Sequence, residues 1–312
     1  MRAVRCCDKK IEVVDVPEVQ GEGVRVRVHS ASICGSDLHM VALGFSLGHT
    51  MGHEFAGVLD DGRAVAVEPV TPCGTCDLCS EGRYNLCRLG PSTILGIGQD
   101  GGMADEIWVP ERCLVPLAPE IALKDACLVE PIAVAVHGMR AGGVGPGDRV
   151  AIVGGGSIGL SALVAARSAG AEVAVVARHP HQVEAARRLG ATESLDAEYP
   201  IVVDCAGTKE ALEQAVALCR PGGTLILLAS YWEGLMLPGM ALCLKEVKVV
   251  PSSLYAHQHE GRDFERAAQI LAQQPEVADT LITHRVPLDE APRAFEIAND
   301  RKSGVIKVVL DV

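Results

Sequence analysis

The sequence predicts an α/β fold, a doubly wound parallel sheet joined to a second, mostly-β domain, and three observations predict it. From Arg149 onward, short Val-rich runs ("RVAIVG", "AEVAVVAR", "IVVDCAG", "GTLILLAS") alternate with helical stretches such as "HQVEAARRLG" and "KEALEQAVALC". Apolar strands alternating with amphipathic helices make a parallel sheet covered on both faces. Up to about residue 120 the texture is irregular, with short strands such as "VRVRVHS" broken by Gly and Pro. Finally, 312 residues exceed one comfortable core, and 48% hydrophobic residues suffice to fill two. The last strand-like run, "GVIKVVLDV", ends the sequence. Both chain ends are therefore expected to build one domain, residues 1–122 and 258–312, around an inserted parallel-sheet domain, residues 123–257.

Composition excludes several classes of function. A net charge of −12 disfavours nucleic acid, whose affinity rests on phosphates neutralised by Lys and Arg. No run of eighteen apolar residues suggests a membrane span, and "MRAVRCCDKKIEVVDV" has no secretory pattern, so a cytoplasmic protein is expected. In that reducing compartment the twelve cysteines are not expected to form disulfides. Clustered ones point to metal or catalysis, whereas Cys6, Cys113, Cys127, Cys205, Cys219 and Cys243 read as packing.

Within the irregular half, "TPCGTCDLCSEGRYNLC" places Cys73, Cys76, Cys79 and Cys87 at spacings of two, two and seven residues. Four thiolates in one loop complete the tetrahedral coordination of zinc and leave no position for a substrate, so this is a clasp. An open site is expected elsewhere. Cys34 in "SICGSDLH", His53 and Glu54 in "GHTMGHEFAG" and Glu130 in "LVEPIAVAVH" form a Cys/His/carboxylate set. That composition fits zinc with three protein ligands and a fourth position for water or substrate. Asp37 is the candidate partner that would orient a ligand.

In "RVAIVGGGSIGLSAL", Gly154, Gly156 and Gly159 follow a strand and open a helix. That context makes the glycine pattern a dinucleotide-binding signature. Gly154 permits the tight turn, Gly156 the approach of a pyrophosphate, and Gly159 the packing of helix on strand. The diphosphate is expected at the positive helix end near Ser157 and Ile158. Cys205, Ala206, Ala229 and Ser230, at later strand ends, are expected to line the rest of the crevice.

The motifs "CGSDLH", "GHEFAG", the four-cysteine lobe, "EPIAVAVH" and "VAIVGGGSIG" occur in an order that resembles the zinc-dependent medium-chain alcohol and polyol dehydrogenases, over essentially the whole chain. The resemblance implies a GroES-like catalytic domain, a Rossmann dinucleotide domain and two zinc ions, one catalytic and one structural. It implies that Cys34 and His53 bind the catalytic zinc. In the sorbitol-dehydrogenase-like branch Glu54 and Glu130 supply the carboxylate, Glu130 as first choice and Glu54 as an exchanging or water-bridged neighbour. A homo-oligomer, dimer or tetramer, is expected. Compared with that family, the stretch between Cys34 and His53 and the loop after "EFAGVLDDG" are trimmed, which suggests a more open substrate cleft.

Zinc and a nicotinamide together imply hydride transfer between an alcohol and a carbonyl. The proton is expected to leave through Ser36, the cofactor ribose and His39, and the resemblance strengthens both assignments. Phe45, Trp108, Tyr231, Trp232 and Tyr255 are candidate pocket walls; a mostly apolar wall would favour secondary alcohols or ketones over polyols. At the end of the second strand, where an acidic residue would select NAD, stands Ala177, followed by Arg178 and His179. NADP is therefore expected to be preferred, with NAD possible if Arg178 only faces solvent. Two other readings compete: a dinucleotide-binding protein with structural zinc alone, and an NADPH-dependent reductase of activated C=C bonds. The joint presence of Cys34, His53, Glu54 and Glu130 argues against both.

Overall fold

The computed structural model describes residues 1–17, 21–45, 48–192, 198–232, 234, 236–258 and 261–312. Along the chain run β1 (Arg2–Cys7), β2 (Lys10–Asp15), β3 (Val24–Ser32), α1 (Gly35–Leu43), β4 (Glu54–Val58), β5 (Ala64–Val67), α2 (Asp77–Ser80), β6 (Glu106–Val109), β7 (Leu114–Pro116) and α3 (Val129–Ala141). There follow β8 (Arg149–Val153), α4 (Ser157–Ser168), β9 (Glu172–Val176), α5 (Pro180–Arg188), β10 (Tyr199–Asp204), α6 (Lys209–Leu218), β11 (Cys219–Leu227), α7 (Gly239–Lys245) and β12 (Lys248–Pro251). The chain closes with β13 (His257–Gln258), β14 (Gly261–Arg262), α8 (Asp263–Gln273), α9 (Glu276–Leu281), β15 (Ile282–Pro287), α10 (Ala291–Asn299) and β16 (Lys307–Asp311).

These elements divide into two compact units, Met1–Glu130 with Ala256–Val312, and Pro131–Tyr255. The first unit is the mostly-β one. Its main sheet runs β15-β16-β3-β4-β5-β7, with β6 paired to β3. Nine-residue β3 is long enough to take β4, β6 and β16 as antiparallel neighbours along its length. Its alternating inward residues Val26 and Val28 join Val4, Phe55, Val65, Met103, Leu288 and Leu310 in one apolar core. β4 and β5 meet through a tight turn in which Leu59 N–H donates to Arg63 O at 2.9 Å. C-terminal β16 fills the place beside β3, with Leu310 opposite Ala31.

The second unit is an all-parallel sheet in the order β12-β11-β10-β8-β9. β8 is apolar throughout its last four positions and fully covered, as a central parallel strand must be. The strand order reverses beside β8, where chain-adjacent β9 lies on one side and β10 on the other. In doubly wound sheets that reversal is where ligands bind. The fold class read from the period of the sequence is the one observed.

Of the cysteines expected in packing, Cys6, Cys113, Cys127 and Cys219 are buried, Cys205 is half-buried, and Cys243 is exposed. Cys243 departs from expectation because none of the seven residues of α7 is buried. Among the described residues, no helix is long and apolar enough to cross a membrane.

Candidate active site

Cys34 ends the turn after β3 and stands at the N-cap of α1, where the Asp37 carboxylate accepts its backbone N–H at 2.9 Å. His53 and Glu54 arrive at the start of β4. One ligand atom from each of Cys34, His53 and Glu54 lies within 4.8 Å of the others. His53 Nδ1 faces Asp37 Oδ1 at 3.5 Å, and its Nε2 stands 3.3 Å from Ser36 Oγ. Asp37 is completely buried, so its carboxylate faces the ring from inside the core. His39 lies half-buried on α1, five residues beyond Cys34.

Two residues missed by sequence reasoning complete the arrangement. Lys307 Nζ donates to both oxygens of Glu54, at 2.9 and 2.7 Å, and the Ser32 hydroxyl donates to the same carboxylate. All three are buried. Their signal in the sequence was a lysine inside an otherwise apolar strand, "GVIKVVLDV". Glu54 is thus already charge-paired. Glu130, also buried, stands in the first turn of α3 and acts electrostatically on both His53 and Lys307.

The site is rich in negative charge. Burial pulls His53 down, but Asp37, Cys34 and Glu130 outweigh it and hold its pKa well above the ordinary value. Burial likewise opposes Lys307, and Glu54, Cys34 and Glu130 raise it. A buried place where anionic donors exceed the cations that answer them is the electrostatic condition for a bound divalent ion. The donor set of one thiolate, one imidazole and a carboxylate fits zinc with an open position.

Cys73, Cys76, Cys79 and Cys87 converge in the lobe around α2. Cys76 Sγ and Cys79 Sγ are 3.4 Å apart, and Cys73 Sγ and Cys79 Sγ 3.8 Å. Zinc with Zn–S bonds of about 2.3 Å separates tetrahedral sulfurs by about 3.8 Å, so the cage fits that ion. Backbone N–H groups of Thr75 and Cys76 lower the Cys73 thiol to about 6, favouring the thiolate. The lobe is anchored by a second pair that sequence reasoning missed. Arg262 Nε and Nη2 reach Glu68 Oε2 at 3.0 and 2.5 Å, and burial together with Glu68 raises the neighbouring Tyr84 phenol.

In the parallel-sheet unit, Gly154 has φ +111°, a conformation reserved for glycine. A Cβ on Gly159 would fall 1.8 Å from Gly154 O. One on Gly156 would meet nothing within 4 Å, so open space lies over the N-terminus of twelve-residue α4, where Ser157 and Ile158 form the first turn. That cradle fits a dinucleotide diphosphate. A Cβ on Gly155 would lie 2.6 Å from Ala177 Cβ, which puts the end of β9 directly against the glycine loop. Arg178 is exposed; His179 is the N-cap of α5, its ring stacked on His181 at 5.4 Å. Cys205 and Ala206 pack at the glycine turn, and Ala229 and Ser230 pack against Gly207.

The candidate pocket walls divide. Tyr255 is fully buried and belongs to the core, whereas Phe45 is 51% exposed. Trp108 and Trp232 are half-buried, and Tyr231 spends its hydroxyl on Asp204.

Comparison with known proteins adds to this geometry. A family model described as the alcohol dehydrogenase GroES-like domain matches residues 20–119, and one described as zinc-binding dehydrogenase matches 157–273. L-galactonate-5-dehydrogenase of Escherichia coli K12 is 30% identical over 97% of this chain and 98% of its own length. Sorbitol dehydrogenase of Bacillus subtilis is 29% identical over 96% and 93%. Among solved structures, galactitol-1-phosphate dehydrogenase of E. coli superposes with TM-score 0.87 at 28% identity over all of both chains. A protein assigned as a zinc-binding dehydrogenase, from Sinorhizobium meliloti 1021 with NADP bound, gives 0.86 at 29% identity over 100% and 99%. The cysteine lobe, the Cys/His/Glu cluster and the glycine cradle thus stand in a chain that belongs to the zinc-dependent medium-chain dehydrogenase/reductase family, an oxidoreductase of the alcohol dehydrogenase type.

Proposed function

We propose that this oxidoreductase interconverts a secondary hydroxyl of a polyol-type substrate and the corresponding ketone, with NADP preferred over NAD. The convergence of Cys34, His53 and Glu54 carries the reading. When bound there, zinc supplies Lewis acidity toward the substrate oxygen and the nicotinamide accepts hydride. Cys34 and His53 hold the metal. The carboxylate ligand comes first from Glu130, because both Glu54 oxygens are engaged by Lys307. Glu54 is the neighbour that exchanges. Ser36, beside His53, would take the proton from the substrate oxygen, and His39, half-buried on the same helix, would carry it onward. Four-cysteine coordination of a second zinc holds the lobe. The names of the relatives, which act on sugar acids and sugar alcohols, support a polyol over a simple alcohol. Initial rates over a panel of polyols, polyol acids and simple secondary alcohols, read as nicotinamide absorbance with both cofactors, test this. Turnover confined to the simple alcohols, or unaffected by removing metal, would overturn it.

The twelve cysteines are all unpaired, which supports work in the reducing cytoplasm. A homo-oligomer, dimer or tetramer, is supported by Met236, Met240 and Leu244, exposed by 78%, 75% and 78%, in the segment of chain that leads into edge strand β12. Exposed large apolar side chains of this kind are candidates for an association surface. Met240→Glu with Leu244→Glu should lower the solution mass measured by light scattering.

A further inference from the structure

Asp204 ends β10 completely buried. Three neutral donors meet its carboxylate. Ala206 N–H and Gly207 N–H reach Oδ1 at 2.9 and 3.3 Å, and the Tyr231 hydroxyl reaches Oδ2 at 2.7 Å. The Asp204 carbonyl in turn accepts Leu228 N–H and Ala229 N–H at 3.0 and 3.1 Å. One residue therefore ties the turn after β10 to the end of β11, and Tyr231 closes the tie from the far side.

These bonds bear on the cofactor crevice. A Cβ on Gly154 would meet Ala206 Cβ at 3.1 Å, and one on Gly207 would meet Ala229 Cβ at 3.0 Å and Ser230 O at 3.1 Å. The glycine turn, residues 205–207 and residues 229–230 are thus packed in series with no slack. The adenosine end of a dinucleotide belongs with β9, through Ala177 and Arg178. Because the strand order places β10 and β11 on the opposite side of β8, the 205–207 and 229–230 segments fall to the nicotinamide half.

We propose that Tyr231 is a positioning residue for the nicotinamide half of the cofactor, acting through Asp204 without touching the ligand. The idea rests on the reading of the glycine loop as the dinucleotide site. Burial and the Asp204 carboxylate raise the Tyr231 phenol, so it keeps its proton and serves as donor. Without that hydroxyl a buried carboxylate oxygen has no partner. The carboxylate then turns to find one and releases the amides of Ala206 and Gly207.

Tyr231→Phe tests this by direct binding. Dissociation constants for NADPH and NADH are measured by titration beside those of 2′,5′-ADP and 5′-AMP, which carry only the adenosine half. The expected result is about a tenfold loss for the tighter dinucleotide, with the half-ligands unchanged within about twofold and faster amide exchange at Ala206 and Gly207. Unchanged dinucleotide affinity overturns the proposal, and so does an equal loss for the half-ligands, which marks a general loosening of the unit. Unaltered protein that binds neither dinucleotides nor half-ligands would instead remove the cofactor site on which the proposal rests.

Discussion

Glu54 and Lys307 are separated by 253 residues of chain, yet Lys307 Nζ sits 2.7 Å from one Glu54 oxygen and 2.9 Å from the other. The lysine side chain is 3% exposed and the glutamate 0%. Lys307 also donates to Ile33 O at 3.2 Å, which ties β16 to the segment that carries Cys34. Removing one partner of a buried pair leaves a naked charge and typically costs about 3–5 kcal/mol. Lys307→Met should therefore lower unfolding stability by that amount in denaturant titration. Lys307→Met with Glu54→Gln should recover a good part of it, because the unpaired charge is gone. A single variant as stable as the parent would show that the pair contributes nothing.

The metal clusters make a separable prediction. Cys34→Ala or His53→Ala should leave a folded chain with about one zinc and should lower turnover by about a thousandfold, the several kcal/mol that a Lewis-acid metal supplies. Cys76→Ser should instead lower the melting temperature, since four-cysteine zinc contributes directly to folding. Elemental analysis and thermal melts on the same preparations check both. One zinc in the unaltered protein, with activity surviving Cys34→Ala, would refute the assignment.

Legibility followed the range of the interaction. The parallel sheet announces itself through local period, and the glycine loop and cysteine lobe through local spacing. Cys34 and His53 could be read because a ligand set has a composition even before it has a geometry. What could not be read is the pairing of distant charges. Lys307 with Glu54 and Arg262 with Glu68 join residues 253 and 194 positions apart. Glu54 could be read as a candidate ligand and Lys307 as a lysine inside an apolar strand, but nothing local says that the two meet. The aromatics failed for a related reason. Tyr255 and Phe45 look alike as candidate walls, but burial, which separates core from surface, depends on the whole fold.

Acid should act at the N-terminal hairpin. Burial would raise Asp105, but the side-chain and backbone bonds from Arg2 outweigh it and lower its pKa. A depressed carboxylate contributes stability that is present above its unfolded value of about 3.9 and lost as pH falls through the folded one. Asp105→Asn should therefore be less stable than the parent at pH 7, with the difference shrinking as pH falls below the ordinary carboxylate range. Melting temperatures from pH 2.5 to 7 measure this. A difference that grows as pH falls has the wrong sign and would exclude the Arg2 pairing as its source.

The proposed preference for NADP rests on the end of β9. An acidic side chain there would bind the ribose hydroxyls of NAD and repel a 2′-phosphate. The chain offers Ala177 instead, its methyl group set against the glycine loop, followed by exposed Arg178 and by His179 at the start of α5. Among the described residues no salt bridge engages Arg178, and a charge-assisted bond from a guanidinium contributes about 1.5–3 kcal/mol. That amounts to about ten- to a hundredfold in affinity. NADP should therefore exceed NAD by that factor in kcat/KM, and the margin should shrink as salt rises because the guanidinium is solvent-exposed. Ala177→Asp with Arg178→Leu should reverse the order by supplying the acceptor and removing the cation. Equal or better efficiency with NAD in the unaltered enzyme would show that Arg178 plays no part in the choice.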